Sequence, residues 1–225
     1  MSTIIGRKQE IEELERLYGS DRPEFVAVYG RRRVGKTFLI KQALKGKFTF
    51  QHTGVSPVDQ GEEKNRMKTQ LESFYYSMLN HGLEGYKQPK TWMEAFFLLE
   101  QLLQKLDNGE RMVIFIDELP WMDTPRSQFL PAFEHFWNGW CNDHDNVMLI
   151  VCGSATTWML KYLSRNKNMK NLINNFTMEQ MTILGSLIMR ARLLRKPSNL
   201  QAQRQEASSM SLAELKEQMR QVMDA

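Results

Sequence analysis

The segment 30–37, reading GRRRVGKT, is a full match to the pattern G-x-x-x-x-G-K-[ST]. It follows a short apolar run, FVAVY, and precedes a stretch of helical spacing, which is the context its chemistry requires. Glycines let the backbone curl so that successive N–H groups converge on phosphate oxygens. The positive end of the following helix favours the same anion. In that geometry Gly30, Arg31, Arg32, Arg33, Val34, Gly35, Lys36, Thr37 and Phe38 form the nucleotide-binding set. Lys36 reaches the β- and γ-phosphates, and the Thr37 hydroxyl ligates magnesium. A chance match in a turn is the competing reading, and the flanking elements weigh against it. Arg31, Arg32 and Arg33 read by default as solvated charge, with phosphate contact or a neighbouring subunit as the alternatives.

A second constellation is MVIFIDE, residues 112–118. A buried strand ending in Asp117 presents its carboxylate at the C-terminal edge of a sheet, where it completes a magnesium site with Thr37. Glu118 is placed to polarise or deprotonate an attacking water. A surface acidic pair at a strand end is the bland alternative. Ser154, after the apolar run 147–152, is a candidate contact to the γ-phosphate or the water, or simply a helix N-cap. The catalytic candidates are therefore Glu118, Lys36 and Ser154, and the metal ligands Thr37 and Asp117. His135, Cys141 and His144 do not have the spacing of a zinc site, and packing is the better reading for His135 among its aromatic neighbours. His52 beside a strand end reads as local structure rather than a catalytic base. The 15 methionines and 5 tryptophans suit a packed core or a partner groove.

Hydrophobic spacing supplies the elements that position these residues. Helices are predicted over 8–17, 36–44, 62–79, 91–106, 131–140 and 156–163. Strands are predicted over 25–29, 48–53, 112–116 and 147–152. Strands alternating with helices indicate an α/β fold of three layers, a parallel sheet covered on both faces. From about Asn174 the character changes. Segments 178–194 and 211–222 read as helices and no strand-like run reappears, which gives a nucleotide-binding domain over 1–173 and a helical tail over 174–225.

The chain has 225 residues, 42% hydrophobic and 25% charged, an ordinary globular balance that excludes collagen, a disordered polymer and a disulfide-stapled miniprotein. No apolar stretch approaches the roughly 20 residues of a membrane span. The N-terminus has neither a secretory nor a transit character, and two cysteines form no disulfide framework, so a cytoplasmic setting without membrane contact is expected. A net charge of +4 is compatible with nucleic acid, though no dedicated aromatic-basic motif accompanies it.

Four segments together, IIGRKQEIEEL (4–14), FVAVYGRRRVGKTFLIK (25–41), VIFIDELPWM (113–122) and LIVCGSATTWM (149–159), resemble the archaeal and bacterial P-loop ATPase family related to AAA+ and STAND proteins. The resemblance covers about residues 2–173. It implies a five-stranded sheet in the order 5-1-4-3-2, ATP with Mg2+, and placement of Ile4, Ile5, Gly6 and Arg7 near the adenine. Family members continue past the Ser154 strand with an arginine-bearing segment, a fifth strand, a helical lid and a further domain. None of these is evident after Asn174, so the fifth strand is expected to be absent or replaced by a tail that looks truncated or frame-shifted, leaving an open sheet edge. Loss of a lid arginine would weaken charge stabilisation in the transition state. The resulting expectation is an ATP-binding protein, an Mg-dependent ATPase coupling hydrolysis to conformational change, with self-association or an unidentified protein partner. A non-hydrolysing switch is the alternative, and a small-molecule kinase is disfavoured by the adjacent acidic pair.

Overall fold

The computed structural model describes residues 7–59, 65–155, 157–159 and 173–177, all within a compact unit Met1–Gln180. In chain order the elements are α1 (Lys8–Tyr18), β1 (Glu24–Tyr29), α2 (Lys36–Ala43), β2 (Phe48–Thr53), α3 (Arg66–Asn80), α4 (Trp92–Leu106), β3 (Met112–Asp117), α5 (Phe129–Gly139), β4 (Val147–Gly153) and β5 (Ile173–Thr177). Single turns of 3-10 helix lie at Leu119–Trp121 and Cys141–Asp143. The sheet order is β2-β3-β4-β1-β5 and every pairing is parallel. This is the order the family resemblance implies.

The apolar runs of β1, β3 and β4 are buried along their whole length, because helices cover both faces of the central strands. Side chains alternate between those faces. Phe25, Ala27, Ile114, Ile116, Leu149 and Val151 point toward α3, α4 and α5, where Phe74, Trp92, Phe96, Phe133, Phe136 and Trp137 fill the layer. Val26, Val28, Val113, Phe115, Met148 and Ile150 point toward Leu14 and Leu17 of α1 and Leu39 and Ile40 of α2. The first layer is locked by ring contacts. Phe96 stacks on Phe136 at 5.1 Å between centroids, and Phe25 meets Trp137 at 5.0 Å. Such pairs contribute about 0.5–1.5 kcal/mol each beyond their buried area. Among the described residues Met78, Met112, Met122, Met159, Trp92, Trp137 and Trp140 belong to the core on this side, and His144 joins it by stacking on Trp140 at 4.2 Å.

One expectation is overturned. A fifth strand is present: Ile173–Thr177 pairs in parallel with β1 from Phe25↔Ile173 to Tyr29↔Thr177. Its sequence, INNFT, lacks the apolar run that marks a strand buried on both faces. Edge strands are held by backbone pairing to one neighbour and need no such run, so hydrophobic patterning misses them. The sheet-forming chain thus extends across the boundary expected at 173/174. The helices predicted over 178–194 and 211–222 lie outside the described residues, as do 62–64 of the helix predicted over 62–79 and 156 and 160–163 of the helix predicted over 156–163. Boundaries elsewhere shift slightly. The 3-10 turn at Leu119–Trp121 is new, and Pro131 sits in the first turn of a helix that starts at Phe129.

His52 of β2 is buried, its Nδ1 2.8 Å from Ser77 Oγ and its ring edge-on to Phe74. Burial lowers its pKa from 6.5 to about 3. The unfolded chain therefore binds the extra proton between those values, so the contribution is complete above about pH 6.5 and declines as pH falls toward 3. Urea denaturation at a series of pH values is expected to show unfolding free energy falling from about pH 7 to about pH 4, with a flatter slope in His52→Leu.

Candidate functional site

Because all strands run the same way, the ends of β1, β2, β3 and β4 emerge at one edge, the usual ligand-binding edge of an open parallel sheet. Four connections meet there: residues 30–35 after β1, Gly54 after β2, Asp117-Glu118 at the end of β3, and Ser154 after β4. The expectation that β4 separates the phosphate-loop strand from the Asp117 strand holds.

The loop 30–35 takes a conformation that only part of the residue repertoire adopts readily. Gly30 and Gly35 have φ of 145° and 84°, and Arg33 has φ of 65°. A non-glycine residue in this left-handed region costs about 1–2 kcal/mol, so the surroundings must hold it. Gly35 caps α2, whose first residues, Lys36 and Thr37, point back into the loop. Buried Lys36 donates from Nζ to the carbonyl oxygens of Gly30 at 3.0 Å and Arg31 at 2.9 Å. Its ammonium thus sits inside the curl of the loop. Arg7, ahead of α1, donates its guanidinium to the Val34 carbonyl, and burial pulls its pKa down from the ordinary arginine value. Among the sequence-predicted residues near an adenine, Arg7 therefore lies against the loop, whereas Ile4, Ile5 and Gly6 lie outside the described residues. Arg31, Arg32, Arg33 and Phe38 are exposed, and the Arg32 guanidinium lies 5.1 Å from the centre of the Trp121 ring. Arg32 is thus exposed, as the default reading of solvated charge has it, with a ring contact that the sequence does not indicate.

Thr37 and Asp117, on elements separated by β4, meet directly: Thr37 Oγ1 donates to Asp117 Oδ2 at 2.7 Å. The other carboxylate oxygen of Asp117 accepts the N–H of Glu118 at 2.9 Å. Beneath them lies Cys152, a buried thiol whose pKa is raised well above the ordinary value by burial and by the Asp117 charge. Glu118 has a left-handed backbone, φ 49°, and its Oε2 accepts two hydrogen bonds from Ser154, from N–H at 3.1 Å and Oγ at 2.9 Å. The Ser154 hydroxyl is thus committed to Glu118. The sequence separates these residues by 36 positions, and only the β3·β4 pairing brings them together.

The residues fit a hard divalent cation and a polyphosphate. Thr37 and Asp117 offer oxygen ligands beside an ammonium and a helix N-terminus. Among the described residues no group of three or more His, Cys, Asp or Glu could hold a metal alone, so a cation here would draw most ligands from water and phosphate, which is the habit of Mg2+. Two residues of the site escaped the sequence reading. Trp121 stands in the segment VIFIDELPWM, within which only Asp117 and Glu118 have an expected role. Gln70 carried a signal: it falls on the buried stripe of α3 with Leu71, Phe74 and Met78, where a polar residue is unusual.

A family described as an ATPase domain found predominantly in Archaea matches residues 4–208, so the chain belongs to it. The match passes the point near 173 at which the resemblance had been read to stop. An uncharacterized ATP-binding protein of Methanocaldococcus jannaschii is 49% identical over 44 residues, 20% of this chain and 75% of that protein. Among solved structures, the ORC2 protein of Aeropyrum pernix, in ADPNP–ADP complexes, has a TM-score of 0.47 and 17% identity over 77% of this chain and 48% of its own. A Walker-type ATPase of Pyrococcus abyssi has a TM-score of 0.43 and 17% identity over 86% of this chain and 60% of its own. The chain spans about half to three fifths of the lengths of those two structures.

The turn after Glu118 is wedged against β4. A Cβ on Gly153 would lie 2.8 Å from Pro120 Cδ and 3.2 Å from Met159 Sδ. Gly153→Ala is therefore expected to displace the turn and to lower stability by about 1–3 kcal/mol, measured as a lower midpoint of urea unfolding.

Proposed function

We propose that this member of the archaeal-predominant ATPase-domain family binds ATP together with Mg2+ and hydrolyses it, using the energy to change conformation. The observation that carries the reading is the Thr37–Asp117 hydrogen bond: a hydroxyl from the phosphate loop and a carboxylate from another strand converge where a cation would be held. Lys36 and the amides at the start of α2 bind phosphate oxygens. To do so, the Lys36 ammonium exchanges the Gly30 and Arg31 carbonyls for phosphate. Thr37 and Asp117 are the cation's protein ligands, Asp117 directly or through water. When bound, the cation neutralises phosphate charge and orients the transferring group.

Glu118 is the water-orienting base. Its carboxylate lies at the same sheet edge as Lys36, and Ser154 holds its orientation through two donors. The same pair supports the alternative reading. With Oε2 occupied by Ser154, a chain that bound ATP without releasing Glu118 would be a non-hydrolysing switch. Both cysteines are free and buried, which supports a reducing, cytoplasmic setting. Among the described residues no helix is long and apolar enough to cross a membrane. The proposed chemistry is carried by the sheet that β5 closes at Thr177, and a protein partner or self-association receives the conformational change.

Titration of labelled ATP with and without Mg2+, read beside phosphate release, tests this reading. Lys36→Ala is expected to lose nucleotide binding, and Asp117→Ala to lose the Mg2+ dependence of affinity. Glu118→Gln is expected to retain affinity while turnover drops by about 100-fold or more. Binding without phosphate release by the unaltered chain would select the switch, and unchanged turnover in Glu118→Gln would remove Glu118 from the chemistry.

A further inference from the structure

We infer that Gln70 of α3 is a positioning residue for Glu118, an inference that rests on the hydrolytic reading of Glu118. Gln70 is fully buried, at 0% exposure, within the stripe of α3 that otherwise packs apolar residues against the sheet. Its carboxamide is in use at both ends. Oε1 accepts the Val55 N–H at 3.0 Å, and Nε2 donates to the Val55 carbonyl at 2.8 Å and the Trp121 carbonyl at 2.9 Å. A carboxamide presents one acceptor and two donors on a single planar head. A carboxylate of the same length offers no donor, and an aliphatic chain offers neither.

The two segments that Gln70 joins are those that hydrogen-bond the backbone of the acidic pair. The Trp121 N–H donates to the Glu118 carbonyl at 2.9 Å. The N–H of Gly54, next to Val55, donates to the Asp117 carbonyl at 3.0 Å. The contact is close enough that a Cβ on Gly54 would lie 2.9 Å from the Glu118 carbonyl oxygen. A ring of bonds therefore runs from the end of β2 to the acidic pair, along the turn Leu119–Trp121, and back through the Gln70 head. Glu118 sits in this ring with a left-handed backbone that its own side chain does not favour. Released from Gln70, the turn and the post-β2 segment lose their shared polar anchor, and the Glu118 backbone loses one of the ties that, with Ser154 and the buried Leu119 and Met122, set where its carboxylate points. Gln70 itself touches no part of the proposed phosphate or cation site and acts through Trp121 and Val55.

The full chain is compared with Gln70→Met, which keeps an unbranched chain of similar length without the polar head. ATP affinity and KM are expected within about twofold of the unaltered chain, and turnover down about tenfold or more, measured well below the unfolding temperature of each. Unchanged turnover per folded molecule, or a loss wholly matched by weaker binding, overturns the inference. Should Gln70→Met not fold, Gln70→Glu carries the test. Its turnover is expected to recover relative to the unaltered chain as pH is lowered and the introduced carboxyl regains a donor, and parallel pH profiles overturn the inference. If the unaltered chain binds ATP without releasing phosphate, the hydrolytic reading fails separately, and positioning is read from Trp121, whose ring also meets Arg32. Gln70→Met is then expected to alter the ATP-induced emission change that Trp121→Phe removes, and an unaltered change overturns the inference.

Discussion

The hydrogen bond from Thr37 to Asp117 spans β4, and most of the architecture serves to make it possible. The two residues sit on elements that are not neighbours. They meet because β1 and β3 flank the same strand, all three run parallel, and each ends at the same level, as the pairing of Tyr29 with Gly153 and of Ile116 with Val151 requires. At that level β4 carries Cys152, whose small buried side chain lies beside the Asp117 carboxylate, while the open side of Gly153 faces Pro120 and Met159.

Lys36, Asp117 and Glu118 each already have a protein partner. Lys36 donates to two loop carbonyls, Asp117 accepts from Thr37 and from the Glu118 N–H, and Glu118 accepts from Ser154. A buried ammonium or carboxylate left alone would be far costlier than one so satisfied. Ligand affinity at such a site is consequently a difference. A phosphate or cation entering here would replace bonds worth about 1.5–3 kcal/mol each, rather than adding interactions to empty donors. The pairing of Glu118 with Ser154 has the same character, since the groups that hold the carboxylate steady are also those it must exchange if it turns toward water.

What the sequence disclosed follows the range over which each feature is determined. GRRRVGKT is local, and its flanking strand and helix are readable within a few residues. The central strands are legible because burial on both faces demands unbroken apolar runs such as MVIFI and VMLIV. β5 is not, because INNFT owes its place to backbone pairing with β1. The roles of Glu118 and Ser154 were legible as candidates, but their mutual bond depends on strand order and so required either the structure or a fold known in advance. Gln70 left a trace, a polar residue on an apolar stripe, yet its partners Val55 and Trp121 lie 15 and 51 positions away. Periodicity can mark such a residue as anomalous without saying what it holds.

The acidic pair stands at the junction of a rigid layer and a strained turn. Leu119 and Met122, at either end of the turn after Glu118, are fully buried in the aromatic layer built by α3, α4 and α5. These anchors fix where the turn starts and stops, so the left-handed backbone at Glu118 cannot relax by sliding the turn along the sheet. The loop 30–35 is held differently, by Arg7 on one side, by the Lys36 side chain folded into it, and by Val34 packed against the core. The site thus joins a half whose backbone is held by buried apolar residues to a half held largely by polar contacts. The Arg32 guanidinium over the Trp121 ring, 5.1 Å from its centre, is one point at which the loop meets the anchored turn.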